Sequence, residues 1–284
     1  MAISKEERAA QAKKHLSLMK GVFAAETQAA IDSAQIFEDG EGRELEIPEP
    51  RAEQTETEVS TQFAAACAAG QKGKVLIVDP TAFTRPGGNY EEGSFGPEQA
   101  LCSDSNLYPI LQGLKAEYHD KNRSYGRGML FTDRCVYLQD VTFNRGGNIA
   151  KHDVLAIPEP VRGRALENHR SENECDQALV NRIETLLRVA AFKGCDVLDV
   201  GAFGCGRNGY DASQVIELFE KWISAHQGVI PKIVFAVPRF NFEAFDAAFG
   251  KPTPVVETVE APEEEEEEAY EFDPTDLPEG ITFR

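Results

Sequence analysis

The sequence predicts a three-layer α/β/α fold built on a mixed β-sheet, with an N-terminal helical extension. The clearest evidence lies in residues 195–238, where the apolar segments CDVLDVGA and KIVFAVP flank a helical segment at 211–226. A strand, a loop, a helix and a second strand in this order form the βαβ unit of a parallel sheet. The segment KVLIVD at 74–79 contains a short apolar run of the type that a parallel strand buried on both faces needs.

The remaining elements follow from periodicity and from turn residues. Residues 3–36 carry apolar side chains at helical spacing, and a second helix is predicted over 52–69, ended by Gly70. The other predicted strands are 128–132, 134–141 and 152–158, and the other predicted helices are 97–114 and 174–193. We expect residues 1–70 to be a helical extension packed on the core, 71–250 a ligand-binding domain, and 251–284 an acidic, disordered tail.

The negative charge of the chain is concentrated in its last residues. Of the net charge of −19, residues 257–284 contribute −11 through twelve acidic residues and one arginine, which leaves −8 for residues 1–256. A body of this charge disfavours general nucleic-acid binding, although a local site can still hold a small anion. The acidic tail either is a disordered segment that keeps the chain in solution, or its last residues form a short peptide that docks on a partner or on the chain's own domain.

The six cysteines and the start of the sequence indicate a cytoplasmic protein. The cysteines show no CxxC spacing and no histidine partner, so neither a disulfide framework nor a zinc site is expected. No window is apolar enough for a membrane span or a signal peptide. No cofactor is expected.

Two glycine-rich loops each connect a predicted strand to a helix. The first contains TRPGGNYEEGSFG after the strand at 74–79, and the second is GAFGCGRNG after the strand at 195–202. Backbone amides in such loops can bind anions at the carboxyl edge of an α/β sheet. The second loop lacks the Walker lysine, so an ATP-hydrolysing P-loop is excluded. Together the two loops predict a diphosphate or dinucleotide-like ligand.

These motifs, with LCSDSNLYP at 101–109 and GAFGCGRNGYD at 201–211, resemble the microbial-type poly(ADP-ribose) glycohydrolases over residues 15–250. The resemblance implies a macrodomain-like fold, an ADP-ribose cleft walled by the two loops, and a bacterial protein that recognises ADP-ribose on a macromolecule. It also implies a ligand-binding role for the following residues: Asp79, Pro86, Gly87, Gly88, Asn89, Gly204, Cys205, Gly206, Arg207, Asn208 and Gly209. Phe235 and Phe240 are the candidates for stacking on adenine.

The sequence departs from the family at the catalytic position. The family's Gln-Glu-Glu signature stands here as Pro97-Glu98-Gln99, so that Gln99 occupies the place of the glutamate that protonates the leaving oxygen. An amide cannot supply that proton. Glu98 is the alternative acid, and the loop residues Glu91 and Glu92 are further alternatives.

Three functions stay open at this point. The chain could hydrolyse an O-glycosidic ADP-ribosyl bond without a metal. It could be a reader or adaptor that binds ADP-ribose without cleaving it. It could act on another nucleotide-like substrate in the same cleft.

Overall fold

A seven-stranded mixed sheet forms the middle layer of the part of the chain that the structure describes. The structure is a computed structural model, and it describes residues 3–238 and 240–251. In chain order the strands are β1 (Gln35–Phe37), β2 (Glu56–Ser60), β3 (Val75–Asp79), β4 (Cys135–Arg145), β5 (Asn148–Ala156), β6 (Val197–Val200) and β7 (Lys232–Ala236). Their order across the sheet is β1-β4-β5-β3-β6-β7-β2.

Five adjacent strands run parallel. β3 pairs with β5 on one side and with β6 on the other, β6 pairs with β7, and β7 pairs with β2. β4 is antiparallel to both β1 and β5. The carboxyl ends of β3, β5, β6 and β7 therefore meet at one edge of the sheet, where α/β proteins place their ligands.

Helices cover both faces of the sheet. In chain order they are α1 (Lys5–Val22), α2 (Ala24–Asp32), α3 (Glu41–Glu44), α4 (Ala64–Ala69), α5 (Pro97–Asp104), α6 (Leu107–Gly113), α7 (His119–Asn122), α8 (Arg162–Glu167), α9 (Glu172–Phe192), α10 (Ala212–Ala225) and α11 (Phe242–Phe249). α9, α10 and α11 bury their apolar side chains in one core, while α1, α2, α4, α5 and α6 contribute to the other. No helix among the described residues is long and apolar enough to cross a bilayer.

β3 separates the two cores through the alternation of its side chains. Leu76 and Val78 pack in the core that contains α9 and α10, whereas Val75 and Ile77 pack in the core that contains α5 and α6. All five residues of β3 are buried. This explains why residues 75–78 are all apolar, and the predicted three-layer fold with a mixed sheet is confirmed.

The N-terminal segment is part of the sheet as well as a helical extension. β1 pairs with β4 at one edge, and β2 pairs with β7 at the other. Both edge strands of the sheet thus come from residues before Gly70. The boundary at residue 70 stays a prediction, as does the division at 250.

The predicted helix at 52–69 is wrong in its first half. Residues Glu56–Ser60 form β2, and only Ala64–Ala69 is helical. The segment TETEV alternates polar and β-branched residues with a period of two, which suits a half-buried edge strand. Because this segment pairs with β7, it forms a strand and not the predicted helix.

The predicted strand at 128–132 is also wrong. Residues 127–129 form a 3₁₀ turn, and the backbone has positive φ at Arg127, Met129 and Phe131. A β-strand cannot contain these conformations. Leu130 is buried and Phe131 half-buried through tertiary packing and not through a strand, whereas Met129 is exposed.

The remaining elements lie near their predicted positions, but two of the predicted helices are interrupted. The helix predicted at 97–114 is broken at Ser105, which forms a β-bridge with Phe143, and Asn106 donates its N–H to the Thr142 carbonyl. The helix predicted at 3–36 is divided at Phe23, and its last residues form β1. The expectations for the acidic tail concern residues 252–284, which lie outside the described residues.

Asp199 is an acidic residue whose burial inside the sheet costs free energy. It lies on β6, is fully buried, and its carboxyl oxygens have no hydrogen-bond partner among the described residues. Burial, with a smaller contribution from the charge of Glu58, raises the pKa of Asp199 well above its ordinary value. The folded state therefore favours the protonated carboxyl.

We expect Asp199→Asn to flatten the pH dependence of stability. A carboxyl whose pKa is raised by folding loses stability as the pH rises above its unfolded pKa of about 4, by ~1.4 kcal/mol per pH unit up to the folded pKa. The wild type should thus lose more free energy of unfolding between pH 5 and pH 8 than the variant, as measured by urea denaturation. Parallel pH curves for the two proteins would contradict a buried, protonated Asp199.

The first glycine-rich loop is fastened to α1. The Gly93 carbonyl accepts a hydrogen bond from Arg8 Nε at 2.8 Å. Gly93 has φ +77°, and a Cβ at this position would lie 2.0 Å from the Lys5 carbonyl oxygen and 2.9 Å from the Ala9 amide nitrogen. Only glycine allows the two backbones to approach this closely.

We expect Gly93→Ala to lower the free energy of unfolding by more than Gly146→Ala does. Gly146 has φ +58° in the turn between β4 and β5, and a Cβ at this position would meet no heavy atom within 4 Å, so its substitution costs only the left-handed backbone, ~1–2 kcal/mol. Gly93→Ala adds the clash with α1, a further ~1–3 kcal/mol. Urea denaturation of both variants measures the difference, and equal losses would refute the contact.

Candidate functional site

A cavity of about 610 Å³ lies at the carboxyl ends of β3, β6 and β7. Its size is within the range of small-molecule sites. The walls come from the start of α4, the end of β3, the start of α5, the loop after β6 and the segment after β7. The lining residues are Phe63, Ala64, Ala65, Val78, Pro80, Phe95, Gly96, Pro97, Ala100, Leu101, Asp104, Glu159, Gly201, Ala202, Phe203, Cys205, Gly206, Arg207, Ala236, Val237, Pro238, Phe240 and Asn241.

The second glycine-rich loop forms one wall of this cavity. Of the six residues predicted there, Cys205, Gly206 and Arg207 line the cavity, whereas Gly204, Asn208 and Gly209 lie beside it. Residues Gly206–Asn208 form a 3₁₀ turn, and Arg207 is exposed and forms no ion pair among the described residues. The loop thus presents backbone and one free guanidinium to the cavity.

Glu159 holds this loop, and the sequence analysis missed it. Its carboxylate accepts hydrogen bonds from the Gly204 N–H at 2.7 Å and from Asn208 Nδ2. Burial raises the pKa of Glu159 to about 7, against the lowering effect of these two donors. Glu159 follows β5 in a segment without glycine or a motif, so only the adjacency of β5 and β3 in the sheet brings it to the site.

The first glycine-rich loop lies over the start of α5. None of Pro86, Gly87, Gly88 and Asn89 lines the cavity, but Gly88 contacts the side chains that follow Pro97. A Cβ on Gly88 would lie 3.0 Å from Gln99 Nε2 and 3.3 Å from Glu98 Oε2. Because Gly88 has no side chain, the loop lies directly against the two catalytic candidates, Glu98 and Gln99.

Glu98 is buried beneath that loop, with 4% of its surface exposed. Its Oε1 accepts a hydrogen bond from Thr81 Oγ1 at 2.9 Å, and its Oε2 accepts from the Ala82 N–H at 3.2 Å. Burial raises the pKa of Glu98 to about 7, although these donors lower it. A carboxyl whose pKa is raised towards neutrality can act as a general acid at neutral pH.

Gln99 lies between the loop and Glu98. Its Nε2 donates to the Gly87 carbonyl oxygen at 3.1 Å and to Glu98 Oε2 at 3.3 Å. The amide therefore ties the loop to the buried carboxyl. It has no proton to transfer.

The other acidic candidates differ in their surroundings. Glu91 and Glu92 are exposed, and Glu92 pairs with Arg85. Asp79, at the end of β3, is fully buried, and its carboxyl oxygens have no hydrogen-bond partner within the described residues; burial and the charges of Glu98 and Glu159 raise its pKa well above the ordinary value. Its carboxyl does not line the cavity, although its neighbours Val78 and Pro80 do.

The two aromatic candidates have opposite environments. Phe240 is 86% exposed and lines the cavity. Phe235 is fully buried in the core and stacks on Phe249 with 4.3 Å between ring centroids. The expectation that Phe235 stacks on adenine is therefore corrected: its place on β7 directs its side chain into the layer of α10 and α11.

Two further aromatic residues at the cavity were missed in the sequence. Phe63 and Phe95 are 38% and 49% exposed and form an edge-to-face pair with centroids 5.9 Å apart. Phe63 precedes α4, in the segment for which the sequence predicts a continuous helix. Exposed aromatic rings around an apolar cavity suit a flat heterocyclic ligand.

Cys205 is not an activated thiol. It lines the cavity, but burial and the nearby Glu159 and Asp211 raise its pKa to about 12. The described residues also contain no group of three or more histidine, cysteine, aspartate or glutamate side chains placed to hold a metal ion. The polar groups at the cavity include the carboxyl groups of Asp104 and Glu159, backbone amides and the Arg207 guanidinium.

Comparison with solved structures gives similar folds at low sequence identity. The crystal structure of poly(ADP-ribose) glycohydrolase (PARG) from Thermomonospora curvata has a TM-score of 0.73 at 24% identity, covering 86% of this chain and 98% of that one. The same enzyme bound to the inhibitor ADP-HPD has a TM-score of 0.71. PARG from Deinococcus radiodurans in complex with ADP-ribose has a TM-score of 0.70 at 24% identity, covering 78% of this chain and 96% of that one. At these identities the likeness establishes the fold.

Among curated proteins no match is found. The family described as microbial-type PARG, catalytic domain, matches residues 3–146, which include the first glycine-rich loop, Glu98 and Gln99. This match spans just over half of the 284 residues. The protein therefore belongs to the microbial-type PARG catalytic-domain family.

Proposed function

We propose that the protein binds ADP-ribose in the cavity at the carboxyl edge of the sheet. The observation that carries this proposal is the cavity itself, which joins a glycine-rich wall at residues 205–207 to exposed aromatic rings at Phe63, Phe95 and Phe240. Backbone amides and Arg207 suit a diphosphate, and the rings suit a purine. Family membership supports this ligand class, and the Deinococcus relative is described in complex with ADP-ribose.

In this arrangement the distal ribose lies towards the first glycine-rich loop. Glu98 and Gln99 do not line the cavity and lie in contact with Gly87 and Gly88, so the ribose lies beside the loop, where the neighbouring Gly96 and Pro97 line the cavity. Asp79, whose pKa is raised in part by the charge of Glu98, is a second carboxyl near them. Gly204, Asn208 and Gly209 lie behind the diphosphate wall. Gly204 and Asn208 support it through their hydrogen bonds to Glu159.

We expect Gly206→Ala to weaken ADP-ribose binding at least tenfold, because Gly206 lines the cavity and a methyl group there would hold the phosphate oxygens away from the backbone. Gly206 has φ +69° and open space around it, as Gly146 has, so the two alanine variants lose similar stability. Titration calorimetry with ADP-ribose on the wild type, Gly206→Ala and Gly146→Ala measures the effect. Unchanged affinity in Gly206→Ala, or no binding to the wild type, would refute this ligand site.

The proposed reaction is hydrolysis of an O-glycosidic ADP-ribosyl bond with Glu98 as the acid. The protonated Glu98 carboxyl gives its proton to the leaving oxygen as the bond to the ribose anomeric carbon breaks. Water then adds to that carbon and gives one proton to the Glu98 carboxylate, which restores the acid. Thr81 Oγ1 and the Ala82 N–H stabilise the carboxylate between the two proton transfers. The pKa of about 7 supports this role, because it keeps the proton available at neutral pH.

A second candidate function is recognition without cleavage. It is favoured by Gln99, whose amide stands where the family has its proton donor and bonds to the loop instead. In that case Glu98 is a structural acceptor for Thr81 and Ala82. Both functions use the same ligand and the same cavity, so only a release assay separates them.

We expect the wild type to release ADP-ribose from modified protein and Glu98→Gln to reduce the rate by about 10²–10⁴-fold, the usual loss when a general acid is removed. Because the protonated carboxyl is the active form, the wild-type rate should fall as the pH rises through about 7. Glu92→Gln, which changes an exposed carboxylate of the same loop, is the control. A wild type that binds ADP-ribose but releases none, while Gln99→Glu does, would establish the reader.

We further infer that the ligand is carried on a macromolecule in a bacterial cytoplasm. All six cysteines are free thiols and five are buried, which suits a reducing compartment. The side chains of Phe95 and Phe240 are exposed at the rim of the cavity, which leaves room for the macromolecule that carries the ADP-ribose. A protein partner for the acidic tail stays a prediction from the sequence alone.

A further inference from the structure

A second cavity, of about 270 Å³, lies between α9 and the segment before β4. It shares no lining residue with the larger cavity. Its walls are Asp39, Arg127, Leu130, Phe131, Thr132, Asp133, Arg170, Asn173, Glu174, Gln177, Ala178, Asn181 and Arg182. Most of these side chains are polar or charged, unlike the apolar walls of the first cavity.

Arg182 is the buried charge of this cavity. It lies on α9 with 2% of its surface exposed, and its Nη2 donates to the Leu130 carbonyl oxygen at 2.7 Å. Its Nε and Nη1 have no hydrogen-bond partner in the described part of the chain. Burial lowers the pKa of Arg182 to about 10, so the guanidinium remains charged at neutral pH. A buried cation with unpaired donors is unfavourable unless an anion or a polar ligand satisfies it.

The acidic side chains around Arg182 are already engaged with other donors. Asp39 pairs with Arg127 at 2.7 Å, and Glu174 pairs with Arg170 at 3.1 Å. Asp133 pairs with Arg43 at 2.6 Å and also accepts hydrogen bonds from Thr185 Oγ1 and the Gly40 N–H. No carboxylate among the described residues lies within ion-pair distance of Arg182.

Thr132 supplies a second unsatisfied group. Its Oγ1 is buried and has no hydrogen-bond partner among the described residues, and the residue lines the same cavity. The carboxamides of Asn173, Gln177 and Asn181 lie on the α9 wall. A buried guanidinium, a buried hydroxyl and neutral amides are the groups that hold an oxyanion in proteins.

We propose that this second cavity binds a small oxyanion, a phosphate or carboxylate group, with Arg182 as its charge partner and Thr132 as a hydroxyl donor. The volume is below that of drug-sized ligand sites, so the occupant is a small molecule and not a nucleotide. The side chains of Arg127 and Arg170 are 56% and 39% exposed and flank the cavity. The site does not depend on the proposed ADP-ribose site.

The test is titration calorimetry of the full chain with inorganic phosphate and, separately, with acetate, at constant ionic strength. We expect one saturable site, at least tenfold weaker in Arg182→Met, which keeps an apolar stem of similar length. Arg188→Met is the matched control, since Arg188 lies on the same helix but pairs with Glu184 and does not line the cavity. Arg207→Ala tests whether the anion binds in the first cavity instead. The stronger of the two anions identifies the ligand group.

Thr132→Val is a second test of the site, to be used if circular dichroism shows that Arg182→Met does not fold. It removes the hydroxyl at almost constant volume, and we expect it to weaken anion binding several-fold. The proposal is supported if Arg182→Met or Thr132→Val weakens anion binding while Arg188→Met and Arg207→Ala leave the affinity for the anion unchanged. No saturable binding of either anion to the wild type would overturn it, as would binding that is lost only in Arg207→Ala.

Discussion

The candidate site depends on the pairing of β3 with β5 on one side and β6 on the other. Leu76–Asp79 pair in register with Asp153–Ala156, and Val75–Ile77 pair with Val197–Asp199. Because all three strands are parallel, the segments that follow them begin at the same edge of the sheet. The residues after β3 hold Glu98, those after β5 include Glu159, and those after β6 form the glycine-rich wall. A register shift in β3 would separate these groups.

This convergence gathers three carboxyl groups, Asp79, Glu98 and Glu159, near a site that suits an anionic ligand. Three carboxylates would repel one another and a diphosphate. Burial reduces the conflict, because it raises the pKa of each of the three carboxyl groups above its ordinary value and so favours the uncharged form. The same desolvation that lowers the repulsion makes a proton available for transfer. The proposed anion binding and the proposed acid role of Glu98 would thus have one physical cause at this edge.

Periodicity was sufficient to predict the sheet layers, the unit β6–α10–β7 and the apolar β3, because in each case the local pattern and the tertiary environment agree. It failed at β2, where pairing with β7 outweighs a mixed local pattern, and at 128–132, where positive φ angles exclude a strand. Glu159 and Arg182 were missed for another reason. Neither belongs to a motif, and each matters only through partners that are distant along the chain, Gly204 for the first and Leu130 for the second.

The pair Glu98 and Gln99 shows how one amide changes the properties of its neighbour. Gln99 Nε2 lies 3.3 Å from Glu98 Oε2 and 3.1 Å from the Gly87 carbonyl oxygen, and it donates to both. A carboxylate in its place would face two acceptors at these distances, and two adjacent carboxyl groups would share one proton. With an amide at position 99, Glu98 is the single titrating group of the pair, and the loop is held by a neutral hydrogen bond. The substitution therefore transfers any acid role to Glu98 and stabilises the loop conformation that covers it.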